Sequence, residues 1–486
     1  MQALTARPGA VTLGGDYGAA CDTAPEPKGN AMKHSTMPRR AALFGALGLA
    51  GAQGAAAQPA GRWPDRPIRF IVAFPAGSGT DVTTRNFTDA LSAEGARVRF
   101  DDRAEAAPSD PATWVIYTPA IPAQHPQLRQ ALERGQTVMK RAAFLGLLAN
   151  EGTCLAVAGT HGKTTTSCLL TWIVYQSGRP VQAFLGGISS NLQSNFLAGP
   201  AEITVVEADE FDRSFLHLHP AAAVITSTDA DHLDIYGDAG HVAEAFGLFA
   251  GQCDRVYRSA SASGVPGVEY GLEQQAYRAE NVRVENGKQH FTLVLGEERV
   301  DHVQAGLPGM HNIENAVAAA CLAHHVGLSA EEIAQGISSF TGVRRRFDVR
   351  WTAPGQAYID DYAHHPTEIT RLLDAVHSLY PGQSVALLFQ PHLFSRTRDF
   401  MPEFAQALGQ ADRVGILPIY PAREASIPGI TSEVLVSQIL GAVLVPASEG
   451  VNWLAAQPEA IKLTVGAGDI DRLVEPFVEH LQHRAV

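Results

Sequence analysis

Short apolar, β-branched runs alternate with longer stretches of helical character along most of this chain. From residue 88 onward that rhythm predicts strands alternating with helices, an α/β fold with mostly parallel sheets. Runs at 97–100 and 114–118 read as short strands, followed by a helix near 125–134 and an apolar segment, TVMKRAAFLGLL. The chain then gives a strand ending at Ala158, the strands ITVVEAD and AAAVITSTD, and the Ala-rich helix IENAVAAACLAHHVG. A last block carries strands near 357–360, 385–390, 413–417 and 462–465. No internal repeat is present. These blocks divide the chain into a leader at 1–60 and three α/β domains at 61–150, 151–345 and 346–486.

The leader changes that picture in one respect. Residues 1–31 are rich in Gly, Ala and Pro and are expected to be unstructured. Residues 32–60 have a basic start, a short apolar stretch and an Ala55-Ala56-Ala57 exit. That describes either an export signal, with Arg39-Arg40 permitting a twin-arginine form, or a disordered Ala/Gly-rich leader. The apolar stretch is too short to span a membrane, so no stable membrane insertion is expected.

With 45% hydrophobic and 18% charged residues, the composition is that of a soluble globular protein. A formal net charge of -13 argues against a nucleic-acid partner, which calls for a basic surface. The five cysteines, Cys21, Cys154, Cys168, Cys253 and Cys321, are odd in number and lack CxxC spacing, which favours a reducing compartment over a disulfide scaffold.

The chemistry concentrates where strands end. The strand before Gly159 empties into Gly159-Thr160-His161-Gly162-Lys163-Thr164-Thr165, a loop suited to phosphate. Its glycines let backbone N–H groups point at phosphate oxygens, Lys163 supplies a positive charge, and Thr164 offers a hydroxyl to Mg²⁺. The helix that follows adds its positive end. Glu207, Asp209 and Glu210 close one strand, and Asp231 and His232 follow another; a carboxylate in either place can hold Mg²⁺ beside phosphates, or simply cap a turn. Asn312 and Asn315 share the first turn of the Ala-rich helix, where their amides suit an adenine edge or a helix cap. Arg344-Arg345-Arg346 form a cationic cluster at a domain hinge, suited to reaching phosphates across domains. The loops Asp360-Asp361-Tyr362-Ala363-His364-His365-Pro366-Thr367-Glu368, Gln390-Pro391-His392 with Arg396, and Gly466-Ala467-Gly468-Asp469 fall on one sheet edge, where ligands are expected.

In order, GTHGKTTT, EADEFDRSF, TDADHLDIY, HNIENA, GVRRRFD, DDYAHHPTE and FQPHLFSRTRDF resemble the Mur ligases across about residues 87–486. The resemblance implies a three-domain architecture for UDP-sugar, ATP and amino-acid binding. It also implies a reaction: ATP phosphorylates the lactyl carboxylate of UDP-N-acetylmuramate, and the amine of L-alanine attacks the acyl phosphate. It assigns Lys163 and Thr164 to phosphates and Mg²⁺, Glu207 to Mg²⁺, and His232 to a second metal and the substrate. It places Asn312 and Asn315 on adenine, has Arg346, Asp361 and His364 bring the third domain onto ATP, and puts Arg396 on the acceptor side. Family members that act later are expected to carry a carbamylated lysine; no Lys stands between Lys163 and Lys288, which fits the alanine-adding branch. Leu393 stands where many relatives have a second arginine.

The start of the chain departs from the family. Residues 37–85, with Trp63-Pro64-Asp65-Arg66-Pro67 and IRFIVAFPAGSGTD, instead resemble the start of a tricarboxylate-transporter-type solute-binding protein. The family's first Gly-rich turn, which cradles the UDP diphosphate, is missing, so the first domain is expected to be incomplete. Gly77 and Gly79 are the only nearby substitutes. The expectations are therefore an ATP- and Mg²⁺-dependent cytoplasmic ligase, monomer or homodimer, with two alternatives: a murein-tripeptide recycling ligase of the same family, or an exported solute-binding protein.

Overall fold

The computed structural model describes residues 103–484, apart from 119–120, 230–238, 263, 286–287 and 423, together with the backbone of three strands nearer the start. Its strands form three sheets.

The first sheet is parallel, in the spatial order Arg97–Arg99, Ala10–Gly14, Ile68–Ala73, Trp114–Tyr117, Val138–Lys140. A doubly wound sheet runs outward from its first strand in the order 3-2-1 on one side. Here the chain-earliest strand takes the second place, and Ile68–Ala73 takes the centre beside Trp114–Tyr117. The solute-binding-like strand therefore stands at the point from which such a sheet presents its first ligand loop. The expectation that residues 1–31 lack structure is corrected at Ala10–Gly14. Average composition hid a five-residue run, AVTLG, whose Val11, Thr12 and Leu13 suit a strand. Residues 32–60, with the signal-like stretch, lie outside the described residues.

The central sheet has ten strands. Its middle is parallel: Val256–Arg258, Ala222–Ile225, Thr153–Ala158, Ile203–Glu207 and Val181–Ser189 lie side by side. Both ends turn antiparallel, through the hairpin Val181–Ser189/Ser194–Leu197 and the meander Tyr277–Glu285, Lys288–Leu295, Glu298–Gln304. Helices Lys163–Gln176, Met310–His325 and Ala330–Ser339 share a core that includes Leu169, Ile173, Val317 and Ile337 on one face. Phe215, Phe246 and Phe249 build a second core from the opposite set of side chains. Continuous burial of Leu155, Ala156, Val157 and Ala158 is what a parallel strand covered on both faces requires.

The third sheet is six-stranded, in the order Asp348–Ala353, Gln356–Asp361, Ile461–Val465, Val385–Phe389, Arg413–Ile416, Val443–Leu444. The first strand is antiparallel to its neighbour and the rest are parallel. Helix Pro366–Leu379 follows Asp361 after a short turn, with Pro366 at its first position and the His365 side chain accepting from Thr367 N–H. Among the described residues no helix is long and apolar enough to cross a membrane.

Candidate active site

Strand Thr153–Ala158 releases the chain into the phosphate loop, and helix Lys163–Gln176 begins at Lys163. Gly162 makes that sharp start possible: its φ is +81°, and a Cβ there would lie 2.4 Å from Asn315 Oδ1. Asn315 is therefore packed directly on the loop. Lys163 Nζ folds back onto the loop, donating to the Gly159 carbonyl at 2.7 Å and to both carboxylate oxygens of Glu210 at 2.7 and 2.9 Å. Burial alone would strip the lysine of its proton, but the charges of Glu210 and Asp209 outweigh it and hold the pKa above the ordinary lysine value. The ammonium is thus charged and sits at the loop mouth.

Thr164 Oγ1 donates to Glu207 Oε1 at 3.1 Å, and the other Glu207 oxygen accepts from Gly186 N–H at 2.8 Å. Burial pushes the Glu207 carboxyl above the usual range in spite of Lys163. A hydroxyl and a buried carboxylate this close are hard oxygen donors of the kind Mg²⁺ takes, alongside water and substrate phosphates, so the donor set fits that ion. His232, the other expected ligand, lies outside the described residues, as does Asp231. Among the described residues no three His, Cys, Asp or Glu side chains cluster as a metal site of their own.

Gly186 fixes the carboxylate from behind, because a Cβ there would fall 2.3 to 2.5 Å from the Glu207 carboxyl atoms. Gly186→Ala is expected to displace Glu207 and raise the Mg²⁺ concentration for half-maximal activity about 10-fold, the scale of lost support to a metal ligand. Titrating Mg²⁺ at saturating ATP measures this.

The third sheet closes the cleft from the other side. Arg346, Asp361 and Glu368 line it together with His161, Asn312 and Asn315 in an open volume of about 740 Å³ that includes the solvent at its mouth. Asn312 and Asn315 are buried, and Asn315 Nδ2 donates to Asn312 Oδ1 at 3.3 Å. Asp361 accepts from the N–H groups of Phe347 and Ala363 at 2.6 and 2.7 Å, and burial raises its pKa to about 6. The backbone of Arg345 and Phe347 is left-handed, with φ of 61° and 47°, so the Arg346 hinge is a tight, strained turn. The Arg346 guanidinium lies 5.1 Å above the Tyr362 ring. His364 Nδ1 lies 2.9 Å from the Tyr362 carbonyl, and burial lowers its pKa to about 4.

Thr160 Oγ1 donates to the Asp229 carbonyl at 2.9 Å, and Thr165 lines the cleft. Arg396 is buried in helix Phe394–Asp399, and its charge acts on His364 and His392. Leu393 precedes that helix with a φ of 71°, in the place of the expected second arginine. Of the expected site residues, Asn312, Asn315, Arg346 and Asp361 line one cleft; Lys163, Thr164 and Glu207 cluster at the phosphate loop, whose Gly162 lines it too, and the His364 N–H is bonded to Glu368, which also lines it. Sequence reading names Glu210 as a possible Mg²⁺ carboxylate, whereas here it holds the lysine, and it places Glu368 in the DDYAHHPTE run without a role.

Burial likewise lowers the pKa of His311 to about 4 and that of His392 to about 3. A depressed histidine stabilises the fold fully above the unfolded value near 6.5, and that contribution is lost as pH falls toward the folded value. Asp361, raised to about 6, acts oppositely, favouring the fold at low pH and fading as pH rises toward 6. With His311, His364 and His392 set against Asp361, the midpoint of urea unfolding is expected to rise from pH 5 to pH 7. His311→Asn should flatten that rise.

Residues 157–323 match the Mur ligase middle domain, residues 345–473 the Mur ligase glutamate ligase domain, and residues 76–153 the Mur ligase family catalytic domain. The chain belongs to the Mur ligase family. It is 43% identical over 415 residues to the UDP-N-acetylmuramate–L-alanine ligase of Flavobacterium psychrophilum, covering 84% of this chain and 93% of that one. The namesake enzyme of Flavobacterium johnsoniae is 44% identical over 405 residues, covering 82% and 90%. Among solved structures, the UDP-N-acetylmuramate–alanine ligase of Thermotoga maritima superposes with a TM-score of 0.70 at 25% identity, over 86% of this chain and 94% of that one. A murein peptide ligase from Psychrobacter arcticus shares the fold, with a TM-score of 0.60 at 20% identity over 85% and 94%. As a Mur ligase the chain is an α/β protein of mostly parallel sheets, and the reading as an exported solute-binding protein falls away: that resemblance is confined to residues 37–85, while the family matches run from 76 to 473.

Proposed function

We propose that this Mur ligase joins L-alanine to the lactyl carboxylate of UDP-N-acetylmuramate at the expense of ATP, through an acyl phosphate. The observation that carries the reading is the meeting of the phosphate loop with Arg346 and Asp361 across one cleft, with His364 bonded to the Glu368 carboxylate that lines it. High identity to L-alanine ligases over most of the chain supports the choice of amino acid.

Lys163, freed from Glu210 by competing phosphate oxygens, holds the terminal phosphates against the loop N–H groups and the helix start. Thr164 and Glu207, with His232, would hold Mg²⁺, which when bound neutralises charge on the transferring phosphoryl group. A lactyl carboxylate oxygen bonds to the γ-phosphorus as ADP leaves. Arg346 places its charge where the phosphoryl oxygens gather. The alanine amine then bonds to the carbonyl carbon, phosphate leaves, and the amine gives up its proton. His364, kept neutral by burial, and Arg396 stand on the side from which the amine arrives. Asn312 and Asn315 offer donors and acceptors to adenine. A ligase drawing on ATP and a UDP-sugar belongs in the cytoplasm, where both are supplied.

The test is phosphate release with ATP, UDP-N-acetylmuramate and L-alanine, leaving out each in turn. All three are expected to be required, and no release at high substrate would overturn the proposal. Higher kcat/KM with a murein tripeptide than with alanine would move the chain to the recycling branch. Because the solute-binding-like strand Ile68–Ala73 takes the centre of the first sheet, the Michaelis constant for UDP-N-acetylmuramate is expected to be raised against that of the Flavobacterium enzymes, with that for ATP unchanged.

A further inference from the structure

His161 stands inside the phosphate loop, yet its imidazole reaches the third sheet's side of the cleft. Its backbone is fixed by the neighbouring strand end: the N–H donates to Ser227 Oγ at 2.9 Å, and the carbonyl accepts from the Thr226 hydroxyl. The side chain, 5% exposed, places Nδ1 3.2 Å from Glu368 Oε1, a residue 207 positions further along the chain. On the other edge of the ring, Nε2 lies 3.4 Å from Asp229 Oδ2 and makes no hydrogen bond among the described residues. Asp229 is half exposed, so water screens that pair, and Glu368 is the dominant partner.

Glu368 is tied in turn to the residues that complete the site. Its Oε2 accepts from His364 N–H at 3.0 Å, and its Oε1 lies 3.9 Å from Arg346 Nη1. Burial would raise this carboxyl, but His364, His161 and Arg346 outweigh it and hold the pKa well below the usual range, so the group is an anion. The line of contact runs from loop backbone to imidazole, to carboxylate, to the turn bearing His364 and the hinge arginine.

We propose that His161 and Glu368 are an interdomain positioning pair, through which the loop that grips the nucleotide sets the place of His364 and Arg346. This rests on the ligase reading above for its catalytic consequence, but not for the contact itself. Neither residue acts on reacting atoms; each acts through the groups it holds.

The experiment compares His161→Ala, Glu368→Ala, the double variant and Glu368→Gln, by steady-state kinetics and by small-angle scattering of the full chain. Each alanine variant is expected to lose kcat ~30-fold with less than ~3-fold change in the Michaelis constant for ATP, and the double should lose no more than ~2-fold beyond the weaker single, because the two act as a unit. Glu368→Gln, whose single amide oxygen can accept from Nδ1–H or from the His364 N–H but not from both, should lose less kcat than Glu368→Ala. In scattering without nucleotide, the alanine variants are expected to show a larger radius of gyration than wild type, and Glu368→Gln the wild-type value. Losses that multiply in the double variant, or alanine variants as compact as wild type, would overturn the proposal. A wild type without alanine-dependent turnover would instead count against the ligase reading, and scattering would still decide the pair. If an alanine variant fails to fold, Glu368→Met and His161→Asn carry the same comparison, with Glu368→Gln again as the conservative control.

Discussion

Lys163→Met is expected to lower ATP-dependent phosphate release by ~10³-fold, the scale of removing a principal charge from a phosphoryl-transfer site. The lysine donates to the Gly159 carbonyl at 2.7 Å and pairs with Glu210, with its side chain 13% exposed and that of Glu210 3%. Removing it does two things. The γ-phosphate loses its cation, and the buried Glu210 carboxylate no longer has the ammonium between it and incoming phosphate. The second effect separates this variant from a simple loss of binding. Lys163→Met/Glu210→Gln should recover part of the ATP affinity but little of kcat, because the repulsion goes while the catalytic charge stays absent. Titration calorimetry with ATP reads the first, and single-turnover phosphate release reads the second. A single variant with near-normal kcat would mean that the lysine grips no phosphate.

Arg346→Ala is expected to cost ~10²-fold in kcat with a smaller effect on ATP binding, since its charge is of most use when the phosphoryl group is in transit. The geometry singles it out among three consecutive arginines. Arg345 turns to Asp360 at 3.1 Å and to the Gly466 carbonyl at 2.6 Å, and Arg344 donates to Gln193 at 2.8 Å. Arg346 alone of the three lines the cleft, and its charge reaches Glu207 in the central unit and Asp361 and His364 in the third. Arg346→Lys should restore little, because an ammonium can neither lie flat over Tyr362 nor present a fork of donors. Steady-state kinetics on both variants, with ATP affinity measured separately, checks this. Equal losses in Arg344→Ala would show that general charge, not position, is what matters.

Strand ends were the legible part of this molecule. Ile203–Glu207, Ala222–Ile225, Gln356–Asp361 and Val385–Phe389 sit close to where β-branched runs predict them, because strands covered on both faces must be apolar throughout. The polar residues just beyond such runs are then forced to one edge, which is why Lys163, Glu207 and Asp361 could be named before the fold was known. Antiparallel ends were not legible. Lys288–Leu295 and Glu298–Gln304 pair through a local turn, and the second of them, ERVDHVQ, is mostly exposed and carries little apolar signal. Ala10–Gly14 was hidden by the composition around it. The His161–Glu368 contact was invisible for a different reason: no local pattern tells which way a loop imidazole points, and its partner is set by how two sheets dock. Charge and spacing alone made Arg344, Arg345 and Arg346 equivalent; the family resemblance picked Arg346, and the partners of the other two at the hinge give the physical reason.

The central claim is that a carboxylate is activated by phosphoryl transfer before an amine attacks it. The most direct measurement uses UDP-N-acetylmuramate with ¹⁸O in the lactyl carboxylate, together with ATP, Mg²⁺ and L-alanine. Mass analysis of the released phosphate is predicted to find one ¹⁸O atom per phosphate, with the amide product formed in equal amount. Phosphate free of ¹⁸O, released in amounts unrelated to amide formation, would contradict the account.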